Sequence, residues 1–471
     1  MTGQGLFIGG RWEQTDASRP TFDRWTGEPT GHVAVASAAD AVRAVDAAAA
    51  AMRTAFPVAD RARVLAETAR LVETRSEALA QLITAEVGKP ITASRAEVGR
   101  AAETLRTCAE EARRLPSETV PLDAVPAGEG TFAFTIPTPM GVVAAITPFN
   151  FPLNLLLHKV GPAIAAGCAV VVKPSDHAPR TAGFVADLLH EAGLPAGWIG
   201  IVTGPPAEIV DALQSDDRVE VVTFTGSSEV GWRLKESAPK KHHVLELGSN
   251  TALVVAADAD LARAARAATD AALGNSGQAC VSLQRVYVER PAADAFIDAL
   301  AAAVAASPVG DPRDERTVVG PLITGTAVDR LSEWIADATA DGARLVTGGG
   351  RDGDVLAPTV LADVAAQSPL VCEEAFGPVV SVVPVDDLAA ALDAVNASRY
   401  ALNTAIYTSD LATAMWFARE AEAGSVLVNM PPSFRADHMP YGGVKDSGQG
   451  REGVKYAIDA LVRQRLVVLH P

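Results

Sequence analysis

GVVAAITPFNFPLNLLLHKVGPAIAAGCAVVVKPS, residues 141–175, decides the fold. An apolar run without polar alternation comes first, which marks a strand buried on both faces. A proline-flanked turn follows, then a helical stretch running to about Gly167. A second apolar run closes on Lys173. Asn150 sits where a helix N-cap belongs, with Pro152 in the first turn. The pattern is a strand–helix–strand unit, and it continues outward. A helix over 180–192 ends at Gly193, and WIGIVTG (198–204) is a third strand. A helix near 206–214 leads to VEVVTFTGS (219–227), and HHVLELG (242–248) is a fifth strand. Such alternation predicts an α/β fold with a doubly wound parallel sheet, which binds ligands at the carboxyl ends of its strands. Those ends carry Asn150, Lys173, Gly204, Ser227 and Glu246.

A second alternating region spans 251 to about 430, with TALVVAADAD, RVYVER, ARLVTGG, GPVVSVVPV, NTAIYT and GSVLVN as strand-bearing segments. It predicts a second α/β domain. Residues 40–114 have helical spacing, as in Leu65, Ala69, Val72 and Leu79, and Gly88-Lys89-Pro90 breaks that region into separate helices. Residues 115–138 carry several prolines and the alternating run TFAFTI, which reads as extended chain or a hairpin. The tail LVRQRLVVLH is an apolar strand without a sequence-local partner. It would pair with the hairpin or with another subunit, and an exposed apolar edge favours a homo-oligomer, a dimer or a dimer of dimers.

At 471 residues the chain exceeds one ordinary domain and should hold two or three. Its 48% hydrophobic and 21% charged residues exclude wholesale disorder. The net charge of −17 makes a poor non-specific binder of nucleic acid or anionic lipid. It leaves room for a local basic pocket. Cys108, Cys168, Cys280 and Cys372 form no CxxC pair and no zinc spacing, so neither a metal site nor a disulfide scaffold is expected. A reducing cytoplasm is the natural reading. No apolar leader opens the sequence, and no stretch of about 20 uncharged apolar residues predicts a membrane span.

Four residues carry chemistry if they converge. Cys280, in NSGQACVSLQR, is a nucleophile only if a base removes its proton; otherwise it is a small buried hydrophobe. Glu246, between leucines and before a glycine, is costly to bury unless it is paired or functional, though it could also sit at an exposed strand end. The Asn150 carboxamide can donate to a developing oxyanion besides capping a helix. Lys173 closes an apolar strand, an unusual place for a solvated lysine, and could hydrogen-bond a ribose hydroxyl.

The chain resembles the aldehyde dehydrogenase superfamily along nearly its whole length. The likeness rests on the ordered conjunction of TPFNFP (147–152), KPS (173–175), FTGS (224–227), LELGSN (245–250), GQAC (277–280), EEAFGPV (373–379) and PYGGVKDSG (440–448). It implies a Rossmann-like cofactor domain over 1–118 and 140–248, a catalytic domain over 249–440, and a small β oligomerisation element over 119–139 and 455–471. It implies that Cys280 attacks the aldehyde, that Asn150 and the Cys280 N–H hold the oxyanion, and that Glu246 activates the water that hydrolyses the thioester. Thr147, Pro148, Phe149, Lys173, Ser175, Asp176, Gly204, Phe224, Thr225, Gly226, Ser227, Leu247, Glu374 and Phe376 would line the NAD(P) site. Lys173 would hold the adenosine ribose, and Ser227 would touch the pyrophosphate at a helix N-terminus. Glu374 and Phe376 would meet the nicotinamide-side ribose and ring.

Three departures from the family pattern stand out. The glutamate that often follows KPS is Asp176, and a carboxylate there favours NAD, with NADP as the alternative. The glycine-rich phosphate loop reads Gly204-Pro205-Pro206 and then Val210, stiffer and bulkier than usual. The common LELGG is LELGS, with Ser249. The segments SFRADHMPYGG and CVSLQR resemble the branch of lactaldehyde, succinate-semialdehyde and non-phosphorylating glyceraldehyde-3-phosphate dehydrogenases, which implies a small polar or anionic aldehyde. Arg435 and His438 would serve it, with Arg106, Phe151 and Ser282; Arg100 and His158 could also approach, and Leu155 and Val281 could line the tunnel. Ala279, where some of that branch have arginine, speaks against a phosphorylated aldehyde. Ser282 replaces the second cysteine that some relatives use as a redox partner. Two alternatives stay open: a coenzyme A-acylating enzyme, which Glu246 disfavours, and a silent structural protein of the same fold.

Overall fold

The computed structural model describes residues 3–470; the outer ends of the first and last expected ranges, Met1–Thr2 and Pro471, lie outside the described residues. The alanine-rich stretch folds into helices α1 (Ala38–Ala51), α2 (Val58–Thr74), α3 (Ser76–Val87) and α4 (Ile91–Glu111). Ser37 starts α1 with a capping box, exchanging hydrogen bonds with Asp40. Gly88, at φ 70°, takes the left-handed turn that ends α3, and Pro90 precedes α4.

The segment that opens the sequence reading folds as β1 (Val142–Ile146), α5 (Asn154–Ala166) and β2 (Val170–Lys173). Then come α6 (Pro179–Glu191), β3 (Ile199–Ile201), α7 (Pro206–Ser215), β4 (Val219–Thr225), α8 (Ser228–Ser237) and β5 (His242–Glu246). The five strands pair in parallel in the order β5-β4-β1-β2-β3. Leu6–Ile8 and Arg11–Glu13 extend one edge antiparallel, and Gly448–Gln449 adds to the other beside β5. Every β1 and β2 residue is buried, as uninterrupted apolar runs require. Helices α1 to α6 pack on this sheet in one apolar core, which also takes in Val454, Ile458 and Leu461 from near the C-terminus.

One local expectation is corrected. Asn150 does not cap α5, and Pro152 lies before its first turn, because the helix begins at Asn154. The N–H groups of Leu153 and Asn154 instead donate to the Glu97 carboxylate of α4, at 2.9 and 3.0 Å. A carboxylate at a helix N-terminus satisfies orphan donors and opposes the helix dipole. That arrangement leaves the Asn150 side chain to other work.

The second region builds β6 (Ala252–Val255), α9 (Leu261–Leu273), β7 (Arg285–Glu289), α10 (Arg290–Ala305), α11 (Gly325–Ala340), β8 (Thr359–Ala362), β9 (Val379–Val385), α12 (Leu388–Asn396), β10 (Asn403–Tyr407), α13 (Leu411–Glu420) and β11 (Ser425–Val428). The order β8-β9-β7-β6-β10-β11 is parallel, with Arg344–Thr347 antiparallel on the outer edge of β8. A third sheet settles the fate of the tail. Val462–Leu469 pairs antiparallel with Phe132–Pro139 over the full eight positions, and Thr119–Val120 joins the far side.

Candidate active site

The turn that delivers Cys280 is wound against its preference. After α9 the chain passes through Asn275, Ser276 and Gly277 at φ 53°, 57° and 74°. Left-handed backbone is uncommon for residues other than glycine and persists where surroundings impose it. Asn275 donates through Nδ2 to the carbonyls of Asn150 and Gln278, each at 3.1 Å. Ser276 accepts the Gly320 N–H at 2.9 Å. A Cβ on Gly277 would lie 2.2 Å from the Gly377 carbonyl, so only glycine fits there. The result presses Gln278–Cys280 against the carboxyl edge of the first sheet, where Asn150 Nδ2 donates to Gln278 O at 3.0 Å. An amide NH2 has two donors, so the second remains for a ligand. The Cys280 N–H meets no acceptor among the described residues.

Cys280 opens onto a cavity of about 220 Å³. Its walls include Phe151 and Leu155, Arg100 from α4, Arg435, Val281 and Tyr441. The Cys280 Sγ lies 3.0 Å from Tyr441 Oη. Burial pushes the thiol up to about 11; the Tyr441 hydrogen bond and the Arg435 charge oppose that, while Glu246 and Glu374 add to it.

Behind this wall lies a buried charged network. Glu452 accepts from Lys159 at 3.1 Å and from Arg435 at 2.9 Å. Burial alone would raise its pKa, but the Lys159 and Arg435 charges bring it down to about 2. Asp437 receives both Nε and Nη2 of Arg100, at 3.0 and 2.7 Å, together with Asn154 Nδ2 and the His158 ring. These contacts hold it below the ordinary carboxylate range despite its burial. Burial and the nearby Arg435 keep His158 low, so it is neutral. The Arg435 guanidinium carbon lies 3.8 Å from the centre of the Tyr441 ring, and its Nε is buried without a partner.

Glu246 ends β5 with both carboxylate oxygens buried and without a hydrogen-bond partner. Burial, then the neighbouring Glu452 charge, raises its pKa well above the ordinary value, opposed by Arg435, Lys159 and Arg451. A buried carboxyl without partners is costly, and such cost is ordinarily kept only for function.

The expected cofactor residues gather along the carboxyl edge. Thr147 follows β1 and donates its N–H to Lys173 O at 3.2 Å; Pro148 and Phe149 come next, half-buried. The Phe149 ring stands edge-on to Phe376 at 5.9 Å. Lys173 is buried and reaches Asp176 at 3.0 Å. Ser175 accepts the His177 N–H, and Asp176 also pairs with Arg19 at 3.0 Å. Gly204 sits so close to the Ala36 carbonyl that a Cβ would lie 2.7 Å from it. Phe224 and Thr225 close β4, the Thr225 Oγ1 buried and unpaired. Gly226 precedes Ser227, which caps α8 through a 3.4 Å bond from the Val230 N–H. Leu247 packs beneath Gly231. Glu374 accepts the Ser249 N–H at 2.9 Å, and burial pushes it up to about 7.

Three residues expected near the substrate lie elsewhere. Arg106 is held on the surface of α4 by Glu73 and Glu103. Ser282 donates to the carbonyls of Ala271 and Ala272, which ties its hydroxyl to α9. His438 is exposed and does not line the cavity. Residues the sequence reading did not single out are Tyr441, Glu452, Asp437, Lys159 and Asn275. Only Glu452 had a visible signal, an acid beside glycine in the Gly-rich run 448–453. Among the described residues no cluster of His, Cys, Asp and Glu could hold a metal, and no helix is long and apolar enough to cross a membrane.

Comparison with known proteins adds a lineage to this geometry. The aldehyde dehydrogenase family profile matches residues 12–467. A 3-sulfolactaldehyde dehydrogenase of Priestia aryabhattai is 42% identical over 466 residues, 99% of this chain and 98% of the relative. An aldehyde dehydrogenase of Physcomitrella patens, solved with the reaction product succinate, superposes with a TM-score of 0.96 at 35% identity, covering 99% of this chain and 98% of the other. An NADP-dependent glyceraldehyde-3-phosphate dehydrogenase from Bacillus halodurans C-125, complexed with NADP, gives a TM-score of 0.97 at 33% identity, covering 100% and 99%.

Proposed function

Since the chain belongs to the aldehyde dehydrogenase family, we propose that it oxidises a small anionic aldehyde to the carboxylic acid with NAD or NADP, through a thioester on Cys280. The observation that carries this reading is Cys280 opening onto a cavity of about 220 Å³ that Arg100 and Arg435 also line. Arginine pairs carboxylate or sulfonate through planar double hydrogen bonds. The cavity is smaller than a drug-sized site and suits a short aldehyde. The matched proteins support the class: one acts on 3-sulfolactaldehyde and another holds succinate as product.

The residues present fit a dinucleotide. The unpaired Thr225 Oγ1, the close approach at Gly204 and the Ser227 cap lie along one sheet edge. Lys173, Ser227, Glu374 and Phe376 would hold the cofactor, which when bound accepts hydride from the substrate carbon. Cys280 attacks the aldehyde carbonyl and holds the carbon in place. Asn150 Nδ2 and the Cys280 N–H receive the oxyanion, worth roughly 3–4 kcal/mol per lost donor in such sites. Glu246 then takes a proton from the water that cleaves the thioester. Its buried, partnerless carboxyl is the feature that favours hydrolysis over transfer to coenzyme A.

The expectation of NAD over NADP rested on the charge of Asp176. That carboxylate is flanked by Lys173 and Arg19, so two cations stand against one anion. The balance supports acceptance of both cofactors.

In this reading residues 1–118 and 140–248 bind the cofactor, 249–440 carry the nucleophile, and 119–139 with 455–471 join copies of the chain. The open edge at Val462–Leu469 and the exposed Leu466, Val468, Phe132 and Ile136 support a homodimer or a dimer of dimers. Four free cysteines, one of them the proposed nucleophile, suit a reducing cytoplasm. The test is formation of NADH or NADPH from short anionic aldehydes without coenzyme A. Cys280→Ala should abolish it, and undiminished turnover would remove the nucleophile.

A further inference from the structure

We propose that Tyr441 is a catalytic residue: its phenol donates a hydrogen bond to the Cys280 sulfur, stabilising the attacking thiolate and, later, the thiolate that leaves the thioester. The proposal rests on the thioester reading above and assigns a role that the nucleophile, oxyanion donors and base do not cover.

The geometry is specific. Tyr441 Oη lies 3.0 Å from Cys280 Sγ, and the ring is buried. Its backbone is clamped to Glu452, Tyr441 N–H to Glu452 O at 3.0 Å and Glu452 N–H back to Tyr441 O. On the ring face lies the Arg435 guanidinium at 3.8 Å, itself anchored by Glu452 at 2.9 Å. A cation over an aromatic face withdraws electron density, which makes the phenol a stronger donor. The hydroxyl is thus aimed and polarised from two sides before any substrate arrives, which is the form of preorganisation that stabilises developing charge.

The direction of the bond follows from the charges. Glu246 at the end of β5, Glu374 before β9 and Arg435 face the thiol, while Cys280, Arg435 and Glu246 face the phenol. Burial, then the charge of Cys280, keeps the phenol protonated far above neutrality. Tyr441 therefore cannot serve as the base; it serves as a donor. When the Cys280 proton leaves for the Glu246 carboxylate or for water, the phenol keeps its own proton and turns it toward sulfur. During deacylation the S–C bond breaks and the electron pair goes to sulfur, where the same O–H is already in place. Burial pushes the thiol up, and the Tyr441 hydrogen bond is the largest of the influences that oppose it.

The experiment is the pH dependence of Cys280 alkylation by iodoacetamide in the full-length protein, read by peptide mass spectrometry so that the exposed Cys372 is counted apart. Tyr441→Phe keeps the ring under Arg435 and removes only the donor. Its alkylation midpoint should move to higher pH by about one unit or more, the scale of a hydrogen bond to a charged group. The kcat/KM at neutral pH should fall about tenfold or more and recover as pH rises, with the aldehyde KM little changed. Fluorinated tyrosine installed at position 441, a stronger donor, should move the midpoint the other way and guards against a folding defect. A midpoint that stays put or drops in Tyr441→Phe overturns the proposal. If the midpoint shifts while no aldehyde is oxidised by the unmodified protein, the donor role stands and the dehydrogenase reading falls.

Discussion

Glu246 is the proposed base, and its surroundings set when it can act. As a base it must be ionised, yet burial and Glu452 raise its pKa. The kcat should therefore climb with pH on an acid limb governed by this carboxyl. Removing the neighbouring negative charge in Glu452→Gln lowers the pKa of Glu246, so that limb should move to lower pH by about one unit, an ordinary effect of one nearby charge. A limb that moves to higher pH, or not at all, would show that Glu452 does not act on Glu246. Which residues the sequence made legible at this scale follows from their chemistry. Cys280, Glu246 and Asn150 stood out through the ordered motifs that carry them and the family those motifs resemble, because each position by itself left a structural reading open. Arg106 and His438 misled because an arginine on a helix or a histidine in a loop has no sequence mark that separates a cavity wall from the surface. Tyr441 passed unnoticed because its value lies in a contact with a residue 161 positions away.

At the scale of elements, the junction of α4 and α5 shows what the linear pattern cannot carry. Asn150 in front of a helix has the form of an N-cap, and the local rule assigns it that work. A carboxylate from another helix takes the position instead. Glu97 accepts two N–H groups of the α5 entrance and pairs with Lys89, both side chains fully buried. Lys89 in turn lies 3.7 Å over the Phe151 ring in the cavity wall. Glu97→Ala would leave a buried cation unpaired and two donors uncapped, which should cost about 3–5 kcal/mol. It should show as a lower thermal midpoint together with a raised aldehyde KM, since Phe151 loses its support. An unchanged midpoint would contradict this account of the junction. Most of the strand–helix alternation was legible, because period and apolar run length are local properties. The short β8 strand was not, although Pro358 precedes it and Asp363 follows it, since four residues are too few to display a period.

For the whole molecule, the terminal strand joins residues far apart in sequence. The apolar tail implied a missing partner, and Phe132–Pro139 supplies one side of it. The opposite edge remains open, with Leu466 half exposed and Val468 close to it. Apolar surface at an unpaired edge is a template for further pairing. Replacing Leu466→Lys and Val468→Lys together should shift the protein toward monomer in light scattering after size exclusion; an unaltered mass would place the contact elsewhere. The acidic surface, by contrast, says little about the substrate. A net charge of −17 coexists with two arginines lining one small cavity, because each is paired with a carboxylate, Arg100 with Asp437 and Arg435 with Glu452.

The proposed activity is oxidation by NAD(P) of an anionic aldehyde that is held on Cys280 and steered by Arg100 and Arg435. It is tested most directly by comparing kcat/KM for a four-carbon carboxylate-bearing aldehyde with that for the uncharged aldehyde of equal length, with NAD(P) and without coenzyme A. A preference for the anion of about tenfold or more is expected, as a charged hydrogen-bonded pair implies, and Arg100→Gln should remove most of it. Equal or better use of the uncharged aldehyde, or turnover that requires coenzyme A, would contradict the account.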